Sequence, residues 1–139
     1  MNAIVKQIDG LTLAGKSDSN HWVVMDTGKV LGGSEAGNKP MELVLIAMGG
    51  CTSMDVISIL KKMRQDVRDY HIELEAEKAT EHPAVFKKIH LKYVIVGKGI
   101  KAENVEKAIE LSMTRYCSVS AMLKHSAEIT WEYEIKEVE

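Results

Sequence analysis

Residues 38–51 read Asn38-Lys39-Pro40-Met41-Glu42-Leu43-Val44-Leu45-Ile46-Ala47-Met48-Gly49-Gly50-Cys51. Proline fits a first helical turn, where its missing N–H leaves no bond unmade, and Glu42 complements the positive end of the helix dipole. The stretch therefore predicts a helix that opens near Asn38-Lys39-Pro40 and runs to about Gln65. From Leu43 to Met48 every residue is apolar, which predicts burial on all sides; beyond it, Val56, Leu60, Met63 and Val67 form a single stripe. Gly49 and Gly50 each disfavour a helix interior by about 1 kcal/mol relative to alanine. A close neighbour is therefore expected at the backbone beside Cys51, either a second helix or a partner subunit.

On either side of this helix the pattern changes to a period of two. Upstream, residues 2–9, 11–16 and 20–26 are short strand-like runs separated by the turn formers Asp9-Gly10 and Ser17-Asp18-Ser19-Asn20, which predicts a small antiparallel meander. The glycine-rich segment 27–38 has neither Walker nor dinucleotide spacing and reads as a flexible connection. Downstream, Tyr70, Ile72, Leu74 and Ala76 alternate with His71, Glu73, Glu75 and Glu77, and Ile89, Leu91, Tyr93 and Ile95 alternate with Lys88, His90 and Lys92. An acidic face thus meets a basic one, as in a hairpin with cross-strand charge pairs.

A second helix is expected from about Ala102 to Tyr116, with Val105, Ala108, Ile109, Ser112 and Tyr116 on one stripe. Ser118 is placed to cap a short helix through about Lys124, which would hold Cys117 at a helix N-terminus and favour its thiolate. A last strand alternates Ile129, Trp131, Tyr133 and Ile135 with Glu132, Glu134 and Lys136. The fold class is α+β, with antiparallel sheets and two main helices in a single domain over residues 1–139.

Composition narrows the function. The chain of 139 residues is 45% hydrophobic and 27% charged, ordinary for a globular protein of one core. A net charge of −2, with eighteen basic residues scattered among twenty acids, leaves no electrostatic footprint for nucleic acid. The start Met1-Asn2-Ala3-Ile4-Val5-Lys6 lacks the pattern of a signal peptide, and the longest uninterrupted apolar run is too short for a bilayer. A cytoplasmic location is expected, with no membrane partner. The five histidines show no HExxH pattern and no ligand spacing with the cysteines, so no metal site and no cofactor is expected. GxSxG, the serine hydrolase signature, is absent.

The two cysteines, Cys51 and Cys117, are too far apart in sequence for a CxxC pair or a short zinc knuckle, so they cooperate only if the fold unites two distant helices. The alternative is a pair of buried, inert thiols. In a reducing compartment a structural disulfide is disfavoured. Met48 and Met54, within one turn of Cys51, are placed to line an apolar pocket around its sulfur.

Taken together, Asn38-Lys39-Pro40-Met41-Glu42-Leu43, Met48-Gly49-Gly50-Cys51 and Tyr116-Cys117-Ser118-Val119-Ser120, in the order meander, long helix, hairpin, helix and strand, resemble the OsmC/Ohr family of osmotically inducible and organic hydroperoxide resistance proteins. The resemblance covers essentially the whole chain. It implies an intertwined homodimer with active sites at the subunit interface, where Cys51 matches the peroxidatic position and Cys117 the resolving one. The implied substrate is a small apolar hydroperoxide, and the implied reductant a dithiol, which in better-studied members is a lipoylated protein. Characteristic hydroperoxide reductases of the family also supply an arginine from the N-terminal strands and a glutamate directly after the helix-opening proline. Here Arg64, Arg68 and Arg115 all lie outside the meander, and Met41 follows Pro40. Glu42 is one position, about 100°, further around the helix. Lys16 or Lys29 would bring a charge without the bidentate fork of arginine. A divergent branch is therefore expected, with weak and alkaline-shifted peroxidase activity. The second function class is a dimeric binding or redox-sensing protein that uses an apolar interface cavity without turnover.

Overall fold

A computed structural model describes residues 1–139. The chain forms two compact units, Met1–Val44 and Leu45–Glu139.

In the first unit, β1 (Ala3–Asp9), β2 (Thr12–Ser17) and β3 (Val23–Met25) form an antiparallel sheet in the order β1-β2-β3, the expected meander. Gly10 turns between β1 and β2 with φ +57°, a conformation open to glycine. This sheet has almost no core of its own. Every residue of β1 is exposed, and Ile4, Val5, Ile8, Leu11, Trp22, Val23 and Val24 present apolar surface to solvent.

The glycine-rich segment after β3 is not the flexible connection its composition predicts. It is wrapped around Asp26, a buried carboxylate that accepts hydrogen bonds from Thr12 Oγ1 at 2.6 Å, Thr27 N at 2.7 Å, and Ser34 N and Ala36 N at 3.2 Å each. Those bonds hold the Asp26 pKa down at about 2. Two glycines serve close approach here. A Cβ on Gly33 would stand 2.1 Å from the Thr27 carbonyl oxygen, and one on Gly37 2.6 Å from that of Val24.

Helix α1 (Pro40–Lys62) begins where the proline predicts. Glu42 Oε1 accepts the backbone N–H of Lys39 at 2.8 Å, one half of a capping box. The helix stops short of Gln65 because Arg64 adopts φ +57° and closes a Schellman turn, with Gln65 N donating to Leu60 O and Arg64 N to Lys61 O.

The second unit is built on a sheet in the order β4-β5-β6: β4 (Asp66–Lys78), β5 (Phe86–Lys98) and β6 (Glu128–Glu137). The hairpin has the predicted register, Ile72↔Tyr93 and Leu74↔Leu91 on one face, Glu73↔Lys92 and Glu77↔Lys88 on the other. The antiparallel expectation fails at β6, which runs parallel to β5 with Leu91↔Trp131 and Tyr93↔Tyr133, so the sheet is mixed. Parallel neighbours need a crossover, and the crossover is helical: α2 (Ala102–Leu111), a π turn (Ser112–Tyr116) and α3 (Ser118–Leu123).

The core joins Met48, Val56 and Leu60 of α1, Leu91, Tyr93 and Ile95 of β5, and Val105, Ala108 and Ile109 of α2, all fully buried. By length and composition α1 is apolar enough to cross a membrane, which its short uninterrupted apolar run did not suggest. Its buried stripe, including a Thr52 hydrogen-bonded to β5, makes it the core helix of this unit. Burial on all sides before Cys51 is not observed, for Ile46 is 55% exposed. The neighbour at the glycine pair is a strand rather than a helix: a Cβ on Gly49 would come 2.8 Å from Leu74 Cδ1 of β4, whereas nothing lies within 4 Å of a Cβ on Gly50.

Candidate functional site

Cys51 sits in the interior of α1 and is half-buried. Cys117 lies between the π turn and α3, and is 3% exposed. The fold brings the two close enough for the Cys51 thiol to act electrostatically on that of Cys117. The single-stripe reading of a helix from Ala102 to Tyr116 is corrected at Ser112, where the backbone widens into the π turn. Cys117 N–H donates to Ser112 O at 2.8 Å, a bond spanning five residues. The extra residue in that turn shifts the stripe, so Ser112 is fully buried while Tyr116 is half exposed.

The expected capping by Ser118 is also corrected. Cys117 is itself the N-cap of α3, its sulfur accepting from Ser120 N at 3.4 Å and Ser120 Oγ at 2.9 Å. These bonds do not favour its thiolate overall. Burial pushes the Cys117 thiol up, the Ser120 bonds pull it down by less, and the neighbouring Cys51 adds to the rise. The net effect favours the protonated form of Cys117.

Beneath Cys51 runs a buried chain of hydroxyls that the sequence reading missed. Ser112 Oγ donates to Asp55 Oδ2 at 2.8 Å and lies 2.7 Å from Thr52 Oγ1, which lies 2.8 Å from Tyr93 OH. Each hydroxyl has one proton, and Ser112 gives its own to Asp55. Thr52 must therefore donate to Ser112, and Tyr93 to Thr52. Burial keeps the Tyr93 phenol protonated, far above the ordinary tyrosine range. One residue along, Ser53 Oγ is 2.8 Å from Tyr70 OH, whose pKa burial raises to about 12. The available signal was Ser112 itself, a polar residue on an otherwise apolar stripe.

Of the other predicted contributors, Met48 is fully buried but Met54 is 76% exposed, so the two do not enclose the Cys51 sulfur. Met54 instead lines an open groove of about 470 Å³ with Asp55, Ile59, Lys62, Leu111 and Tyr116. Glu42 is engaged in capping its own helix, and Lys16 in a bond to Asn20 Oδ1 and a cation–π contact with Trp22 at 4.8 Å.

This architecture is shared with known proteins. Protein YhfA of Escherichia coli strain K12 is 43% identical over 135 residues, covering 97% of this chain and 98% of that protein. The crystal structure of a hypothetical protein from Aquifex aeolicus VF5 matches with a TM-score of 0.87 at 33% identity, over 99% of this chain and 97% of that one. A crystal structure of an organic hydroperoxide resistance protein OsmC from Legionella pneumophila shares the fold with a TM-score of 0.68, at 13% identity over 96% and 97% of the two chains. The family described as OsmC-like protein matches residues 32–132, so the chain belongs to the OsmC-like family.

Proposed function

We propose that the chain reduces organic hydroperoxides with Cys51 as the attacking thiol and Cys117 as the resolving one. The observation that carries this reading is the pairing of a more accessible thiol with a buried, protonated one across 66 residues of sequence. Thiolate attack on the distal oxygen of R–O–OH breaks the O–O bond, leaves Cys51 as a sulfenic acid, and releases an alkoxide that takes a proton to become the alcohol. Cys117 then attacks the Cys51 sulfur. A disulfide forms and the sulfenic oxygen leaves as water, carrying the Cys117 proton. A dithiol reductant, such as a lipoylated protein, restores both thiols by exchange and leaves as its own disulfide. No metal or cofactor enters the cycle.

The working form is a homodimer acting on a small apolar hydroperoxide in the cytoplasm. Support for the dimer comes from the unpartnered apolar surface of the first unit and from Ile46, Met54 and Ile57 on α1, far more than scattered surface residues account for. The Legionella relative, named for hydroperoxide resistance, is in keeping with the same chemistry.

The test is consumption of cumene hydroperoxide by purified protein with a dithiol. Cys51→Ser is expected to abolish it, and Cys117→Ser to stop after one turnover with a sulfenic acid that dimedone traps. Full activity in Cys51→Ser would sink the mechanism, and no consumption by the wild-type protein would favour the other function class, a binding or redox-sensing dimer without turnover.

A further inference from the structure

We propose that Ser112 is a positioning residue which sets the Cys51 to Cys117 geometry for disulfide closure; this rests on the reading of the two thiols as a redox pair. Its two polar ends face the two cysteines by different routes. Through its side chain, Ser112 is tied to the Cys51 helix twice, by donating to Asp55 and accepting from Thr52, the residue next to Cys51. Through its carbonyl it accepts the backbone N–H of Cys117 at 2.8 Å. A single buried residue therefore joins the helix carrying one sulfur to the amide of the other.

The backbone between Ser112 and Cys117 explains why such a clamp is needed. A π turn is rare and persists where its surroundings hold it against reversion to α geometry. Ser112 opens this turn and receives its closing bond, and Ser112 N–H continues α2 by bonding Ala108 O and Ile109 O. Without the hydroxyl, the turn loses its side-chain attachment to α1. Reversion toward α geometry would shift the Cys117 amide and the sulfur that follows it. Disulfide closure is an in-line displacement between two sulfurs, and a misplacement of ~1 Å in a reacting group slows such a step by up to roughly 100-fold.

Ser112 touches neither peroxide nor sulfur, so its signature is the partition between two products. In Ser112→Ala, the ratio of disulfide to dimedone-trapped Cys51 sulfenic acid after one equivalent of cumene hydroperoxide should fall at least about tenfold. Ser112→Thr, which keeps the hydroxyl, should recover most of that ratio. A second arm uses diamide, which takes two electrons and two protons from the two thiols and becomes the hydrazine as the disulfide forms. It reads the geometry of the pair without any peroxide, and closure by diamide should slow in Ser112→Ala as well. Because Ser112→Ala strands buried polar groups, Asp55→Ala, which removes only the acceptor of the Ser112 hydroxyl at the half-buried end of the chain, supplies a milder variant that should shift both readouts the same way by about threefold. Wild-type closure rates in folded Ser112→Ala, or in Asp55→Ala should Ser112→Ala not fold, would overturn the proposal. Loss of peroxide reduction with the diamide effect intact would fault the peroxidase reading and leave the clamp standing.

Discussion

The direction of the buried hydroxyl chain makes a quantitative prediction about stability. Thr52 and Tyr93 are both fully buried, 2.8 Å apart, with Tyr93 donating. Thr52→Val keeps the shape but removes the acceptor for the Tyr93 O–H and the donor to Ser112. A stranded buried donor costs about 1–3 kcal/mol and the second lost bond about 1 kcal/mol more, so Thr52→Val should destabilise by roughly 2–4 kcal/mol. Tyr93→Phe removes only a donor. Thr52 still donates to Ser112, and its unfilled lone pair should cost about 1 kcal/mol. In the double variant no phenol is left to strand, so its cost should fall short of the sum of the single variants by about 1–2 kcal/mol. Urea unfolding of the four proteins at one fixed protomer concentration measures the cycle, and fixing the concentration removes the mass-action contribution of a dimer. Additivity within about 0.3 kcal/mol, or a Tyr93→Phe cost equal to that of Thr52→Val, would refute the assigned directions.

Two further predictions concern titration. Asp26→Ala removes the acceptor of four donors, so amides 27–36 should lose hydrogen-exchange protection while those of β4 and β5 keep theirs; unchanged protection at Ser34 and Ala36 would contradict the loop organisation. Since the folded pKa of Asp26 is depressed to about 2, its contribution is fully present above the unfolded value near 4 and is lost as pH falls toward 2, and the same amides should open over that window. Cys117 has the opposite sign. Its folded pKa is raised, chiefly by burial, which persists when Cys51 is oxidised, so at neutral pH it is less ionised than an ordinary thiol and disulfide closure should accelerate as pH rises from 7 to 8. Acid-quenched mass spectrometry of the closure step reads this directly, and a rate flat across that range would show that Cys117 ionises below it.

How far these features were legible in the chain depends on which physical signal each one leaves. The hairpin was legible because its alternation places Glu73 opposite Lys92 and Glu77 opposite Lys88, so hydrophobic and charge patterns agree on one register. The direction of β6 was not, because Ile129, Trp131, Tyr133 and Ile135 alternate identically in a parallel or an antiparallel neighbour. The start of α1 was marked by Pro40 and Glu42, whereas its end depends on Arg64 adopting a left-handed conformation that glycine or asparagine would have signalled. A period of 3.6 residues hides a π turn, since one extra residue moves Tyr116 off the stripe without altering the apolar pattern before it. Asp26 looked like one more polar residue beside a glycine-rich loop, and only the convergence of three backbone amides and Thr12 on its carboxylate reveals it as the centre of that loop.

On the proposed reading, the asymmetry of the two thiols lets a chain without the arginine and glutamate of characteristic hydroperoxide reductases separate the roles of its cysteines. Cys51, in a helix interior, has no helix N-terminus to draw on. Cys117 has one, accepts two bonds from Ser120, and remains protonated because burial and the Cys51 thiol outweigh them. The contribution of Cys51 to that balance disappears during the proposed cycle. When Cys51 is oxidised in that cycle, its upward push on the Cys117 thiol is removed, while the downward pull of the two Ser120 bonds stays. Cys117 therefore becomes easier to ionise at the step that needs its thiolate. In the proposed cycle, oxidation of one sulfur thus eases ionisation of the other, and the order of the two steps follows from burial and charge at a single pair of residues.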